Sequence, residues 1–153
     1  MNKQKGFSLI ELLIVVAIIL IIAAIAIPNL IKSKMAANES SAVGSLRTLT
    51  TGEIAFASAC PAIGFTHTLA DLGTAGTCPG GNAQIDSTLQ SGSKSGYKFT
   101  PSATAASGVN VTFTTLADPQ SASTGTRHFF VDETGVIRYN QSAPAANSDN
   151  ALQ

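Results

Sequence analysis

Apolar residues are crowded at one end of this chain. Leu12 to Ile27 is an unbroken run of sixteen Leu, Ile, Val and Ala residues. Counted from Phe7, the segment would extend about 31 Å as a helix, which matches the hydrocarbon thickness of a bilayer, so it can cross a membrane once. Pro28 follows, and a proline inside a helix removes one hydrogen bond and crowds the carbonyl four residues back. Beyond it Ile31, Met35, Ala42, Leu46 and Leu49 recur at steps of three, four or seven, with Lys32, Ser33, Lys34, Asn38, Glu39 and Arg47 elsewhere around the wheel. The pattern predicts one long helix over 7–57, kinked at Pro28: an apolar part, 7–28, and an amphipathic part, 29–57.

The period is lost over 58–95, where Gly64, Gly73, Gly76, Gly80, Gly81 and Gly92 are joined by Pro61 and Pro79. This reads as a connecting region without regular structure. Over 96–140 the period becomes two. Tyr97 to Thr100 and Val109 to Thr114 alternate apolar and polar, as half-buried strands do. His128 to Val131 and Val136 to Tyr139 are two further strands, joined through Asp132-Glu133-Thr134-Gly135, where Gly135 can take the positive φ of a tight hairpin. The last segment, 141–153, is polar and Ala-rich and reads as a flexible tail. The expected fold class is α+β, a long N-terminal helix packed on a small antiparallel sheet of three or four strands. Tyr97, Phe99, Val109, Val111 and Phe113 are expected to face the amphipathic stripe, with Phe129 or Phe130 and Val136 or Tyr139 completing the core.

Composition narrows the setting. The chain has 153 residues, room for one ordinary domain. It is 44% hydrophobic and only 12% charged, which suits a membrane segment joined to a weakly charged polar part. Nine basic and nine acidic residues leave no positive excess to attract nucleic acid. Lys3 and Lys5 ahead of the apolar run favour a cytoplasmic N-terminus, a signal opposed by Lys32 and Lys34 behind it. Cys60 and Cys78 close a short loop and read as a disulfide if that part of the chain meets an oxidising compartment; the alternative is two separate buried thiols.

A search for catalytic or metal-binding sets finds little. His67 and His128 stand apart from any His-x-x-x-His pattern, there is no Gly-x-Ser-x-Gly, and two cysteines without histidine partners do not complete a zinc set. Asp132 and Glu133, with Asp118 nearby in sequence, could be imagined around calcium, but a solvated turn accounts for them. Three glycosylation triplets begin at Asn38, Asn110 and Asn140 and are assigned no function in a chain so rich in Asn, Ser and Thr. The expectation is no enzyme, no cofactor and no metal. The residue a plain membrane anchor does not explain is Glu11, because an ionisable group within a membrane helix is costly and usually marks function.

Lys5-Gly6-Phe7-Ser8-Leu9-Ile10-Glu11-Leu12-Leu13-Ile14-Val15 strongly resembles the leader and first residues of type IV prepilins and of the pseudopilins of type II secretion systems. The resemblance implies that residues 1–6 are a leader, that a prepilin peptidase cuts between Gly6 and Phe7, that Phe7 becomes N-methylated, and that Glu11 acts in assembly. It implies a ladle-shaped subunit of a helical filament of identical copies. A single-pass inner-membrane precursor would pass through an inner-membrane assembly platform into an extracellular pilus or a periplasmic pseudopilus. Loss of Lys3 and Lys5 with the leader would leave seven basic residues against nine acidic ones. Small residues Ala17, Ala23, Ala24 and Ala26 would let helices approach closely. The bridge of many pilins lies nearer the C-terminus than Cys60 and Cys78, a departure from the family pattern. The motif does not separate pilus from pseudopilus. The rival of another class is a membrane-anchored or secreted protein with a conventional signal peptide, for which Ala24-Ile25-Ala26 would be the cleavage site; Glu11 within the apolar segment opposes it.

Overall fold

The computed structural model describes residues 7–73, 78 and 84–152, so the leader and its Gly6 lie outside the described residues. The elements follow in the order α1 (Leu9–Ala59), α2 (Leu69–Gly73), α3 (Ser87–Gln90), β1 (Ser93–Lys94), β2 (Tyr97–Ala106), β3 (Val109–Pro119), β4 (His128–Asp132), β5 (Arg138–Asn140) and β6 (Asn150–Ala151). Residue contacts divide the chain into two units, Met1–Lys34 and Met35–Gln153, with the boundary inside α1.

In the first unit, α1 carries Pro28 inside it, with helical residues on both sides. Leu9, Ile10, Leu12, Leu13, Ile14, Ile18, Ile19, Leu20, Ile21, Ile22, Ile25 and Ile27 are all exposed. The helix is long and apolar enough to cross a membrane, and none of its most apolar eighteen-residue window is buried. An all-round apolar surface of this kind has no protein core to serve.

In the second unit, one face of α1 is buried. Ala42, Leu46, Leu49 and Phe56 join Tyr97, Phe99, Ala117, Phe129, Val131 and Ile137 in one hydrophobic cluster. Ala42, Leu46 and Leu49 are the expected stripe; Met35 is only half-buried and Ile31 is exposed. The sheet is an antiparallel meander of six strands in sequence order, more than the three or four expected. Two-residue turns connect its early strands: Ser95 and Gly96, then Ser107 and Gly108, all have positive φ, the geometry whose twist matches that of the flanking strands. Gly135 has φ 73° and its N–H donates to Asp132 O (3.0 Å), closing the expected hairpin.

Several expected core positions are corrected. Val111 is 50% exposed and Val109 only half-buried, because the β2–β3 register shifts between Thr104 and Ala105 and leaves Val111 unpaired. An extra residue in one strand breaks the two-residue alternation, so Asn110, opposite Ala105, takes the place in register with Phe113 that the alternation gave to Val111. Phe113 is buried beside Phe65, ring centroids 4.9 Å apart, outside the main cluster. Val136 is 37% exposed, and β5 begins only at Arg138; Ile137 takes the buried place, with its carbonyl accepting from Leu152 N–H at 2.7 Å. β4 is buried at Phe129, Phe130, Val131 and Asp132, so both of its faces are covered.

The region 58–95 is not a structureless connection. It holds α2, α3 and β1, and it contributes Leu69, Leu72, Ile85 and Leu89 to the core. Its elements are too short for a period to register, but each has an end signal. Thr68 and Asp71 form a reciprocal cap on α2, with Asp71 N–H donating to Thr68 Oγ1 and Thr68 Oγ1 to Asp71 Oδ2. Asp86 caps α3 by accepting from Leu89 N–H at 2.7 Å. The C-terminal tail is likewise anchored: β6 pairs with β5, and Asp149 accepts from Asn140 Nδ2 and from Ala146 N–H.

Candidate functional site

Two groups of side chains carry the functional question, one at the start of α1 and one on its buried second half. At the start, Phe7 and Ser8 precede the first helical residue, Leu9. Helix ends leave backbone N–H groups without partners, and here Glu11 Oε2 accepts from Ser8 N–H at 2.9 Å, the acidic half of a Ser-x-x-Glu cap. In the single chain Glu11 thus caps its own helix, because the third helical position reaches back to the residue before the helix. Its carboxylate also lies in the first turn, where the helix dipole favours negative charge. Phe7 is 79% exposed, adjoining the apolar surface of Leu9 to Ile27.

The second group was missed by periodicity. Glu39, which the wheel placed on the polar side, is buried. Its Oε1 accepts from Thr126 N–H (3.0 Å), Thr126 Oγ1 (3.2 Å) and Arg127 N–H (3.3 Å), and its Oε2 from Arg127 Nε at 2.7 Å. Burial would raise its pKa, but the Thr126 and Arg127 donors and the Arg127 charge outweigh that and hold it below the usual carboxylate value. Arg127 also lies over the rings of Phe129 and Tyr139, and Tyr97 Oη donates to its carbonyl at 2.8 Å. Asn38 Nδ2 donates to Thr124 O (2.9 Å), so two successive residues of α1 grip the β3–β4 loop. A buried Glu at a position that otherwise reads as solvent-facing leaves no signal in the helix period.

Glu53 is the second buried helix acid, with Oε2 accepting from Thr66 N–H at 2.9 Å and Oε1 lacking a partner. Burial and the neighbouring Asp71 charge push its pKa up to about 7 despite the Thr66 bond. Close by, Cys60 and Cys78 are joined in a disulfide with Cα atoms 6.0 Å apart, and both are buried. Cys60 ends the α1 chain, and its carbonyl accepts from Ile63 and Gly64 N–H. Gly64 has φ 79° and forms a bridge to Asn110 so close that a Cβ there would lie 2.1 Å from Asn110 O, which only glycine allows.

The remaining candidates are absorbed into the fold. Asp132 Oδ1 accepts from Thr134 N–H at 3.0 Å and from the Thr134 hydroxyl, a local turn. Asp118 Oδ1 instead meets His128 Nδ1 at 2.6 Å, and Asp132 stands opposite Thr114, four residues along β3 from Asp118. His67 is exposed. Among the described residues there is no group of three or more His, Cys, Asp or Glu placed to hold a metal ion. The amide nitrogens of Asn38, Asn110 and Asn140 all donate within the chain, to Thr124 O, Phe65 O and Asp149 Oδ1.

Comparison with known proteins bears on the first group. Residues 1–27 match the prokaryotic N-terminal methylation motif. The chain is 52% identical over 54 residues to the type IV major pilin protein PilA of Myxococcus xanthus, covering 35% of this chain and 24% of that protein. It is 58% identical over 40 residues to the type IV wide pilus major component PilA4 of Thermus thermophilus, covering 26% of this chain and 30% of that one. The matches thus span less than a third of either relative's length. No solved structure matches the chain. The N-terminal part of the chain, which opens α1 with a long apolar stretch, is thus similar to the same part of type IV pilins.

Proposed function

We propose that this chain is a structural subunit of a type IV pilus filament, cut by a prepilin peptidase after Gly6, N-methylated on Phe7 and polymerised through its N-terminal helix. The observation that carries the reading is the surface of α1 behind the methylation motif: from Leu9 to Ile27 its Leu and Ile side chains are exposed on every side. Such a surface suits lipid before assembly and other copies of the same helix afterwards. The inner membrane would hold the precursor, and an assembly platform there would pass it into the filament.

Glu11 has a specific part in this proposal. In the single chain it holds Ser8 N–H, and cleavage would place a charged amine on Phe7, one residue away. Packing of a second copy would let the carboxylate exchange its cap for a neighbour's ammonium, a stronger charge-assisted bond. Pro28 would supply the bend between the apolar and amphipathic parts of the helix.

Mass spectrometry of the mature protein tests processing: a methylated Phe7 N-terminus is expected, and a start at Ile27 would overturn it in favour of a conventional signal peptide. Electron microscopy of cells lacking the gene tests the assembly. Loss of long surface fibres is expected, whereas intact fibres with failed protein secretion would assign the chain to a pseudopilus.

A further inference from the structure

Glu53 is difficult to explain as a packing residue. Its side chain is 1% exposed, its Oε1 has no hydrogen-bond partner, and its Oε2 is committed to Thr66 N–H. Thr66 is also bound from the other side, since its hydroxyl donates to Asp71 Oδ2 at 2.9 Å. One residue thus bridges two carboxyl groups. Asp71 collects a second hydroxyl, from Thr68 at 2.7 Å. An unpartnered carboxylate oxygen buried beside another carboxylate is costly, whereas a protonated acid carries no net charge and still accepts from Thr66 through its other oxygen.

The location gives this proton a structural consequence. Glu53 follows Gly52, and a Cβ on Gly52 would lie 3.8 Å from Leu72 Cδ1, within the segment that the disulfide closes, and 3.2 Å from Gln84 Cβ just beyond it, so this turn of α1 packs against both. Thr66, the donor to Glu53, lies between Cys60, just past the end of α1, and α2. Asp71, on α2, is the charged group acting on Glu53; His67, the neighbour of Thr66, is exposed. Among the described residues no cation is a group that acts on Glu53.

We infer that Glu53 is a proton-operated latch: as the neutral acid it holds the Thr66–Gly73 part of the disulfide-closed segment against α1, and on ionisation it loosens that segment. The sign follows from burial. The folded carboxyl binds its proton up to about pH 7, whereas its ordinary value is 4.5, so the closed form is favoured below 4.5 and loses its advantage progressively between 4.5 and 7. Above that range the closed form gains and loses nothing further from this group.

Hydrogen exchange on the full-length, disulfide-intact protein in detergent tests this, with rates converted to protection factors so that the intrinsic pH dependence of exchange is removed. Protection over 66–73 is expected to fall on the order of a hundredfold between pH 4.5 and 7.5, while β3 and β4 keep theirs. Glu53→Gln, a neutral residue of the same shape, should hold protection nearly level across the range. Asp71→Asn, which removes the neighbouring charge, should move the midpoint to lower pH. A wild-type profile that stays flat, or a Glu53→Gln profile with the wild-type slope, would overturn the inference. If Glu53→Gln is too unstable to purify, an unmoved midpoint in Asp71→Asn does the same.

Discussion

The two stretches of α1, residues 9–34 and 35–59, belong to one helix and obey opposite rules. In the first, large aliphatic residues are exposed around the whole circumference. In the second, Leu46 and Leu49 are fully buried on one face, and two glutamates are buried with them. Helical backbone alone therefore says nothing about what a leucine contributes. Leu46 stabilises a fold because the sheet removes it from water, while Leu20 has no such partner in its own unit and is available to lipid or to another chain. The acids divide the same way. Glu11 satisfies a local backbone group, and Glu39 and Glu53 reach across to residues far along the chain.

The largest separation of the two stretches should come from matched truncations. Leu46→Ala is expected to destabilise the second unit by about 2–5 kcal/mol, and Leu20→Ala to change it by less than about 0.5 kcal/mol, in thermal melts of the detergent-solubilised chain. Equal effects would break the comparison. Next, replacing Cys60 and Cys78 together by serine should cost about 3 kcal/mol, read in the same melts, because an 18-residue span is released in the unfolded chain. The exposed helix of the first unit should keep its membrane partitioning in that variant, checked by alkaline extraction of membranes.

Glu39→Gln should cost about 1–3 kcal/mol, since Arg127 loses its ionic partner and several donors a charged acceptor. The two buried acids should also respond to pH with opposite signs. Glu39 has a lowered pKa, so its stabilisation is present above 4.5 and lost as pH falls below that value. Glu53 has a raised one, so its stabilisation is present below 4.5 and lost as pH rises toward 7. Melts from pH 3 to 8 of the wild type and the two Gln variants separate them: Glu39→Gln should flatten only the acid limb. The smallest effect is expected at Glu11. Glu11→Ala removes a cap on an exposed helix end and should change the melt of the second unit by less than about 0.5 kcal/mol. Under the proposed function the same variant should sharply reduce filament yield in electron micrographs, and wild-type yield would sink the assembly role of Glu11.

Much of the architecture was legible because it rests on repeated local signals. Sixteen consecutive apolar residues announce a membrane-length helix, and the steps from Ala42 to Leu49 announce a helix with one buried face. Alternation at Tyr97 and Phe99 marks a strand face, and Gly135 marks a hairpin. Gly6, Phe7 and Glu11 stood out because the methylation motif they belong to is a short linear stretch, legible without the fold. The elements that escaped are the short ones. β1, β6, α2 and α3 have between two and five residues each, and they exist because neighbours complete their hydrogen bonds.

By itself the amino-acid sequence determined where the chain is apolar, which segments are helical or extended, and which N-terminal residues carry the methylation motif, since each of these depends on residues close together along the chain. It did not determine that Val111 would be exposed and Ile137 buried, that Asn110 would bind Phe65, or that Glu39 and Glu53 would lie inside. Those outcomes depend on elements separated by up to 88 residues arriving at the same place, where burial and the available donors then set the charge of each acid. The apolar stretch of α1 is the converse case: its character is complete in the sequence because no distant part of its own unit alters it.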